Sequence, residues 1–205
     1  MNYFFDVVTL IILFALYGFI HSVLASEKVK LYFRKILGKS IAFYRLGYNL
    51  FALLGLYLIW DLAPHPSLQI YQLSSQFDYL VLIPQFVSFV GIFWCFKFVC
   101  FKEFVGLSQI DRYLKDDYSD NDLDENYTLR IAGPYKYSRH PIYFFSIIIL
   151  MFRAEMDLFY LTVFILSIAY FYIGSYYEEK KMVRMFGDDY RNYQKEVPRI
   201  FPYKF

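Results

Sequence analysis

The sequence predicts an all-α, polytopic membrane protein with about five transmembrane helices and a C-terminal amphipathic helix on the cytoplasmic side. Three observations lead there. Of 205 residues, 58% are hydrophobic and 23% aromatic, with a mean hydropathy of +0.33, well beyond ordinary soluble composition. The apolar residues gather into five runs, most of them close to the roughly 20 residues that cross the hydrocarbon core of a bilayer. The loops between these runs alternate in Lys and Arg content, as the positive-inside rule requires.

The first run, about Phe4 to Leu24, has Asp6 as its only charge and lacks the positive start and small-residue cleavage pattern of a signal peptide. It reads as a retained helix. The second run is about Phe43 to Trp60 and the third Tyr79 to Phe101, with Lys97 near an end where a long stem can snorkel to the interface. The fourth, Pro141 to Met156, spans only about 24 Å as a helix. Arg153, Glu155 and Asp157 mark its turn into the fifth, Leu158 to Tyr177. Lys28, Lys30, Arg34, Lys35 and Lys39 crowd the loop after the first run, and seven cations follow the fifth. The loop after the second carries Asp61 and Asp78 and no cation. This pattern predicts an N-terminus outside, with the first loop, the loop before Gly133 and the C-terminal tail in the cytoplasm.

Length and even composition fit one domain, 1–205. A net charge of +2 is too small to point to nucleic acid as a partner. Cys95 and Cys100 lie in one apolar run and are too few for a disulfide framework. The run Asp116 to Tyr127 has acids at Asp120, Asp122 and Asp124, but not the Gly and Glu that a calcium loop needs, so it reads as a solvated loop. No metal site is expected. No G-x-S-x-G, H-E-x-x-H or C-x-x-C occurs, and no glycine-rich loop within an alternating strand–helix pattern. His21, near the inner end of the first run, fits an interhelical hydrogen bond as well as it fits a site. His65, in a Pro-flanked outer loop, reads as structural.

Two segments carry the chemistry. In GPYKYSRHPIY, Gly133-Pro134 sets a turn and Pro141 suits the first turn of a helix. Arg139 and His140 therefore stand at a helix N-terminus, where free amides and cations hold anionic groups. The same residues also fit an interfacial anchor, with tyrosines in the aromatic belt and cations at headgroups. In YYEEKKMVRMFGDDYRNYQKEVPRIFP, Glu178 and Glu179 are expected to close the fifth span near the depth of His140. Acids at a helix C-terminus oppose its macrodipole. Their tasks would be to hold a cation or to accept a proton. The alternating Met, Val, Phe, Lys and Arg that follow fit an amphipathic helix on the membrane.

Taken together, GPYKYSRHPIY, the later EE and FGDDYRNYQKEVPRIFP resemble the integral-membrane methyltransferases of the isoprenylcysteine carboxyl methyltransferase and phospholipid methyltransferase superfamily. KEFVGLSQI and YGFIHSVLASEKVK are similar to a bacterial branch that includes methanethiol S-methyltransferases. The resemblance implies S-adenosylmethionine as methyl donor, held by a cofactor-binding half, 102–205, that follows three N-terminal spans in 1–101. It implies cofactor contacts at Tyr127, Thr128, Leu129, Arg130, Tyr135, His140, Pro141, Ile142, Tyr143 and Glu178, with Gln109 contributing from beyond the third span. Arg139 and Glu179 would be the catalytic pair. The implied acceptor is a lipophilic or small membrane-permeant molecule, reached in part through membrane lipid: a thiol, a carboxylate or an amine. One departure matters. Isoprenylcysteine enzymes carry a basic residue one turn before the glutamates, where this chain reads Gly174-Ser175-Tyr176-Tyr177. A membrane scaffold that keeps the fold without the chemistry is the alternative.

Overall fold

The computed structural model describes residues 3–119 and 128–203, and Asp120, Asp122, Asp124 and Tyr127 lie outside them. Among the described residues, four helical runs are long and apolar enough to cross a membrane: Tyr3–Ala25, Glu27–Leu62, Asp78–Phe96 and Leu158–Phe186, with Pro141–Met151 a shorter apolar helix. This is the all-α polytopic architecture expected. The chain forms two compact units that interleave in sequence, Val8–Pro64 with Val99–Thr128, and His65–Phe98 with Leu129–Phe205 and the first seven residues.

In the first unit, α1 (Tyr3–Ala25) ends at Ser26, whose extended backbone starts α2 (Glu27–Leu37). A 3₁₀ segment, Gly38–Phe43, leads into α3 (Tyr44–Leu62). Polar groups fasten α1 to α3. Tyr48 hydroxyl lies 2.7 Å from His21 Nε2, the interhelical bond expected of His21, and Tyr17 hydroxyl donates to Ala52 O at 2.9 Å. Such groups in lipid must find partners within the protein. Helices α5 (Phe101–Val105) and α6 (Leu107–Leu114) follow. Asn49 Nδ2 donates to Val105 O at 2.9 Å and Arg45 Nε to Phe104 O at 2.8 Å, satisfying carbonyls at the end of α5.

The second unit contains α4 (Asp78–Phe96), α7 (Pro141–Met151), α8 (Leu158–Phe186) and α9 (Asp188–Glu196). Helix α4 stops before Lys97, which caps it and is exposed, as snorkelling requires. Gly91 allows α4 and α7 to approach closely, since a Cβ there would fall 2.4 Å from the Phe145 ring. With 11 residues, α7 rises about 16 Å, half of a ~30 Å hydrocarbon core. It is shorter than the sequence predicts because Phe152 to Ala154 leave the helix for a strand. Strand β2 (Glu155–Asp157) pairs antiparallel with β1 (Gln69–Gln72), with Tyr71 opposite Met156. Asp157 then caps α8, accepting from Tyr160 N at 2.8 Å. His65 stacks on Phe159 at 4.1 Å between ring centroids, a structural contact.

Helix α8 corrects one expectation. Glu178 and Glu179 do not close it, because the helix runs two turns further to Phe186. Lys180, Lys181, Met182, Arg184 and Met185 all favour helix, and the first breaker is Gly187, with φ +56°. The acids are therefore mid-helix, and the macrodipole does not bear on them. The cations and methionines assigned to a separate amphipathic helix belong to α8. The polar helix that follows is α9, with Asp188 and Asp189 in its first turn.

Candidate active site

The site is built where the GPYKYSRHPIY segment meets the middle of α8 and the chain after α9. Gly133 has φ +60°, and a Cβ there would fall 2.2 Å from the Phe98 ring. Glycine thus admits the turn into the 3₁₀ segment Gly133–Lys136. Beyond it, the backbone pairs with the segment that leaves α9. Arg139 N donates to Pro198 O at 3.0 Å and His140 N to Arg199 O at 2.9 Å. Ser138, 2% exposed, donates its hydroxyl to Ile200 O at 2.7 Å. Pro198 ends the helical run before it and keeps this segment extended. Tyr193 hydroxyl donates to Tyr135 O at 2.6 Å, and burial pushes the phenols of Tyr193 and Tyr190 up, so both stay neutral.

At the centre is a buried ion pair. The Arg139 side chain is 8% exposed and that of Glu179 3%. Arg139 donates Nε to Glu179 Oε1 at 2.8 Å and Nη2 to Oε2 at 3.2 Å, a bidentate fork. Its Nη1 donates to Gln194 O at 2.7 Å and Val197 O at 3.0 Å, satisfying carbonyls at the end of α9. Glu179 also accepts from Gln194 Nε2 at 2.8 Å, lies 3.2 Å from His140 Nε2, and has Arg199 Nε at 3.5 Å. A carboxylate has about four lone-pair sites, and these contacts fill them.

His140 bridges the two acids. Its Nδ1 faces Glu178 Oε2 at 3.3 Å while Nε2 faces Glu179. Burial pulls the imidazole pKa down, yet the hydrogen bonds and charges of Glu178 and Glu179 outweigh it and hold the pKa above the usual 6.5. Tyr143 hydroxyl donates to Glu178 Oε1. Its ring stacks 5.3 Å from His140 on one side and 4.8 Å from Phe171 on the other, tilted by 5° and 12°. The Glu178 side chain is 53% exposed. A carboxylate aligned by two partners, open on its outer side and set beside three stacked rings, can take an ammonium or a pair of hydroxyls. Those are the groups of an S-adenosylmethionine molecule, and the donor set fits it.

The structure thus brings together Arg139, His140, Tyr143, Glu178 and Glu179, with Tyr135 and the buried Pro141 in the same segment and Ile142 half-buried beside them. Leu129 and Arg130, half-buried, belong to the same unit, whereas Gln109 and Thr128 belong to the other. Gln109 is buried in α6, with Nε2 3.1 Å from Glu103 Oε2 and Oε1 lacking a hydrogen-bond partner. Sequence reasoning missed Gln194, Arg199, Ser138 and Phe171. For Gln194 and Arg199 the signal is their place just before and after Val197-Pro198, where a helix must end and the chain turn back.

No family model matches the chain, and no solved structure does. Among curated proteins it is 28% identical over 198 residues to Methanethiol S-methyltransferase 1 of Bradyrhizobium diazoefficiens, which covers 95% of this chain. It is 28% identical over 193 residues to Methanethiol S-methyltransferase of Pseudomonas deceptionensis, and 26% over 200 residues to that of Crocosphaera subtropica. The chain spans 66% of the first relative's length and 71% and 72% of the others. Similarity along nearly the whole chain, to proteins bearing this name, bears out the resemblance read from the C-terminal motifs.

Proposed function

We propose that this protein is an integral-membrane, S-adenosylmethionine-dependent methyltransferase whose acceptor is a small, membrane-permeant thiol. The observation that carries the reading is Glu178, oriented by Tyr143 and His140 above a buried ionic frame and open on its outer side. The relatives named for methanethiol support a thiol over the other acceptors. The missing cation supports this too: the turn before the glutamates offers Gly174, Ser175, Tyr176 and Tyr177, and no charge to pair with a substrate carboxylate.

S-adenosylmethionine, when bound, supplies a methyl group activated on a sulfonium. Glu178 would hold its amino or ribose groups, with the stacked His140, Tyr143 and Phe171 rings as a wall beside it. Leu129, Arg130, Tyr135, Pro141 and Ile142 are proposed as further contacts. Transfer is an in-line displacement that depends chiefly on alignment. Arg139 and Glu179 serve that alignment, because their donors and lone pairs are committed to each other and to α9. A thiol loses a proton as its sulfur is methylated, and we assign its removal to a relay in which the Tyr143 hydroxyl takes that proton as it passes its own to the Glu178 carboxylate. The positive-inside rule supports a site at the cytoplasmic face and an N-terminus outside.

The test combines calorimetry of S-adenosylmethionine binding to detergent-purified protein with transfer of a labelled methyl group. Methanethiol, an isoprenylcysteine and phosphatidylethanolamine are the acceptors. Binding that is lost in Glu178→Ala, together with labelled dimethyl sulfide from the native protein, is the expected result. Binding with transfer only to the carboxylate or the amine would overturn the thiol. No binding by a folded sample would overturn the methyltransferase and favour a scaffold.

A further inference from the structure

We propose that a groove on the side of α8 away from Glu178 binds the phosphate headgroup of an anionic phospholipid, whose acyl chain lies along α8. The groove has a volume of about 200 Å³ and is lined by Tyr176, Glu179, Lys180, Val183, Gln194 and Arg199. At about 100° per residue, Tyr176, Lys180 and Val183 stand roughly 140–160° around the helix from Glu178, while Phe171 stands within about 20° of it. The groove and the Glu178 carboxylate therefore lie on opposite faces of one helix, and this proposal does not rest on the methyltransferase reading.

Charge defines what the groove takes. The one acid lining it, Glu179, is bound by the Arg139 fork, Gln194 and His140. Lys180 and Arg199 are the cations at its rim, and Arg184, exposed, lies one turn beyond Lys180 on the same side. The Lys180 ammonium is 4.3 Å from the centre of the Tyr176 ring, which fixes it at the mouth of the groove. Arg199, with 37% of its side chain exposed, touches Glu179 through Nε. Two cations around a concavity of this size suit a phosphate better than a lone carboxylate.

Depth indicates that the phosphate belongs to a lipid. Ile165, Tyr172, Ile173 and Tyr176 are all exposed and fall on the face of α8 that leads into the groove. From Ile165 to Tyr176 the helix rises about 16 Å, close to the ~15 Å hydrocarbon half-thickness of a bilayer. An apolar track one leaflet long, ending in a cationic groove, has the layout of a phospholipid. A soluble phosphate would use the groove and ignore the track.

The experiment measures association of spin-labelled phosphatidylglycerol and phosphatidylcholine with the full chain in phosphatidylcholine nanodiscs. We expect a preference for the anionic lipid that falls about fivefold for each cation removed in Lys180→Gln and Arg199→Gln. Ile173→Asn, which breaks the track and keeps the charges, should weaken it as well. Lys35→Gln makes the same charge change on α2 and should leave the preference intact. A thermal melt of each variant checks folding, and because Lys180 lies outside the ionic frame, its variant remains readable if Arg199→Gln unfolds. The proposal is overturned if Lys35→Gln acts as strongly as Lys180→Gln, or if the Lys180 variant keeps the full preference. It is equally overturned if glycerol 3-phosphate displaces the lipid at comparable concentration, since the track would then add nothing.

Discussion

Replacing Arg139 by Met tests the frame of the site at its most demanding point. The guanidinium makes four hydrogen bonds, two to Glu179 and two to the carbonyls of Gln194 and Val197. At about 1 kcal/mol net for each bond, their loss amounts to ~4 kcal/mol. Removing one partner of a buried pair costs about 3–5 kcal/mol by comparison with other proteins, so the two routes agree. For a chain of this length that is a fall in melting temperature of roughly 6–20 °C. Glu179→Met should be similarly damaging, since it strands the guanidinium. The double variant is the sharper test: with neither charge left to bury, it should lose less than the two singles summed, by about 1–3 kcal/mol. The assay is thermal unfolding in detergent, followed by the near-ultraviolet signal of the tyrosines. A single variant within about 0.5 kcal/mol of the native chain, or strict additivity in the double, would refute the ionic frame.

Three further outcomes follow from the same geometry. Glu178→Gln keeps the shape but loses the charge, and should weaken S-adenosylmethionine binding at least about tenfold while moving the melting temperature little, because Glu178 is half-exposed; calorimetry and a melt separate the two effects. His140 has a pKa raised above 6.5, so its contribution to stability is full below pH 6.5 and is lost as pH rises through the raised value. A melting-temperature profile should therefore fall on the alkaline side, and His140→Gln should remove that slope. Gly91→Ala drives a methyl into the Phe145 ring and should cost about 1–3 kcal/mol; Phe145→Leu should restore much of it, and a neutral Gly91→Ala melt would count against the close approach of α4 and α7.

The spans were legible because hydropathy and charge act locally: each expected run contains a helix, and the first two keep their predicted limits to within two residues. The fourth comes out shorter because Phe152 to Met156 contains no Gly or Pro to break a helix, while its actual partner, β1, lies about 85 residues away and exerts no local signal. Glu178-Glu179 reads as the end of α8 in the sequence, yet only Gly187 breaks the helix there. Within the candidate site, His140, Tyr143 and Glu178 are residues to which the family resemblance points. It does not give their arrangement: nothing in the sequence says that Arg139 reaches Glu179, 40 residues on, or that Gln194 and Arg199 complete the circle. Pairings across such separations depend on how the helices stack, which residue types alone leave open.

The extended segment after α9 also sets when the site can exist. Pro198, Arg199 and Ile200 receive hydrogen bonds from Ser138, Arg139 and His140 across about 60 residues. A loop of that length must close before any of these bonds can form. The helices on either side form locally and fast, whereas this closure is the slow, non-local step. Ligand-binding competence should thus appear in refolding after helical content is complete, with a rate of its own. A cut between Tyr193 and Pro198 should leave every span in place and erase the site, because the helices alone do not hold Arg139 against Glu179.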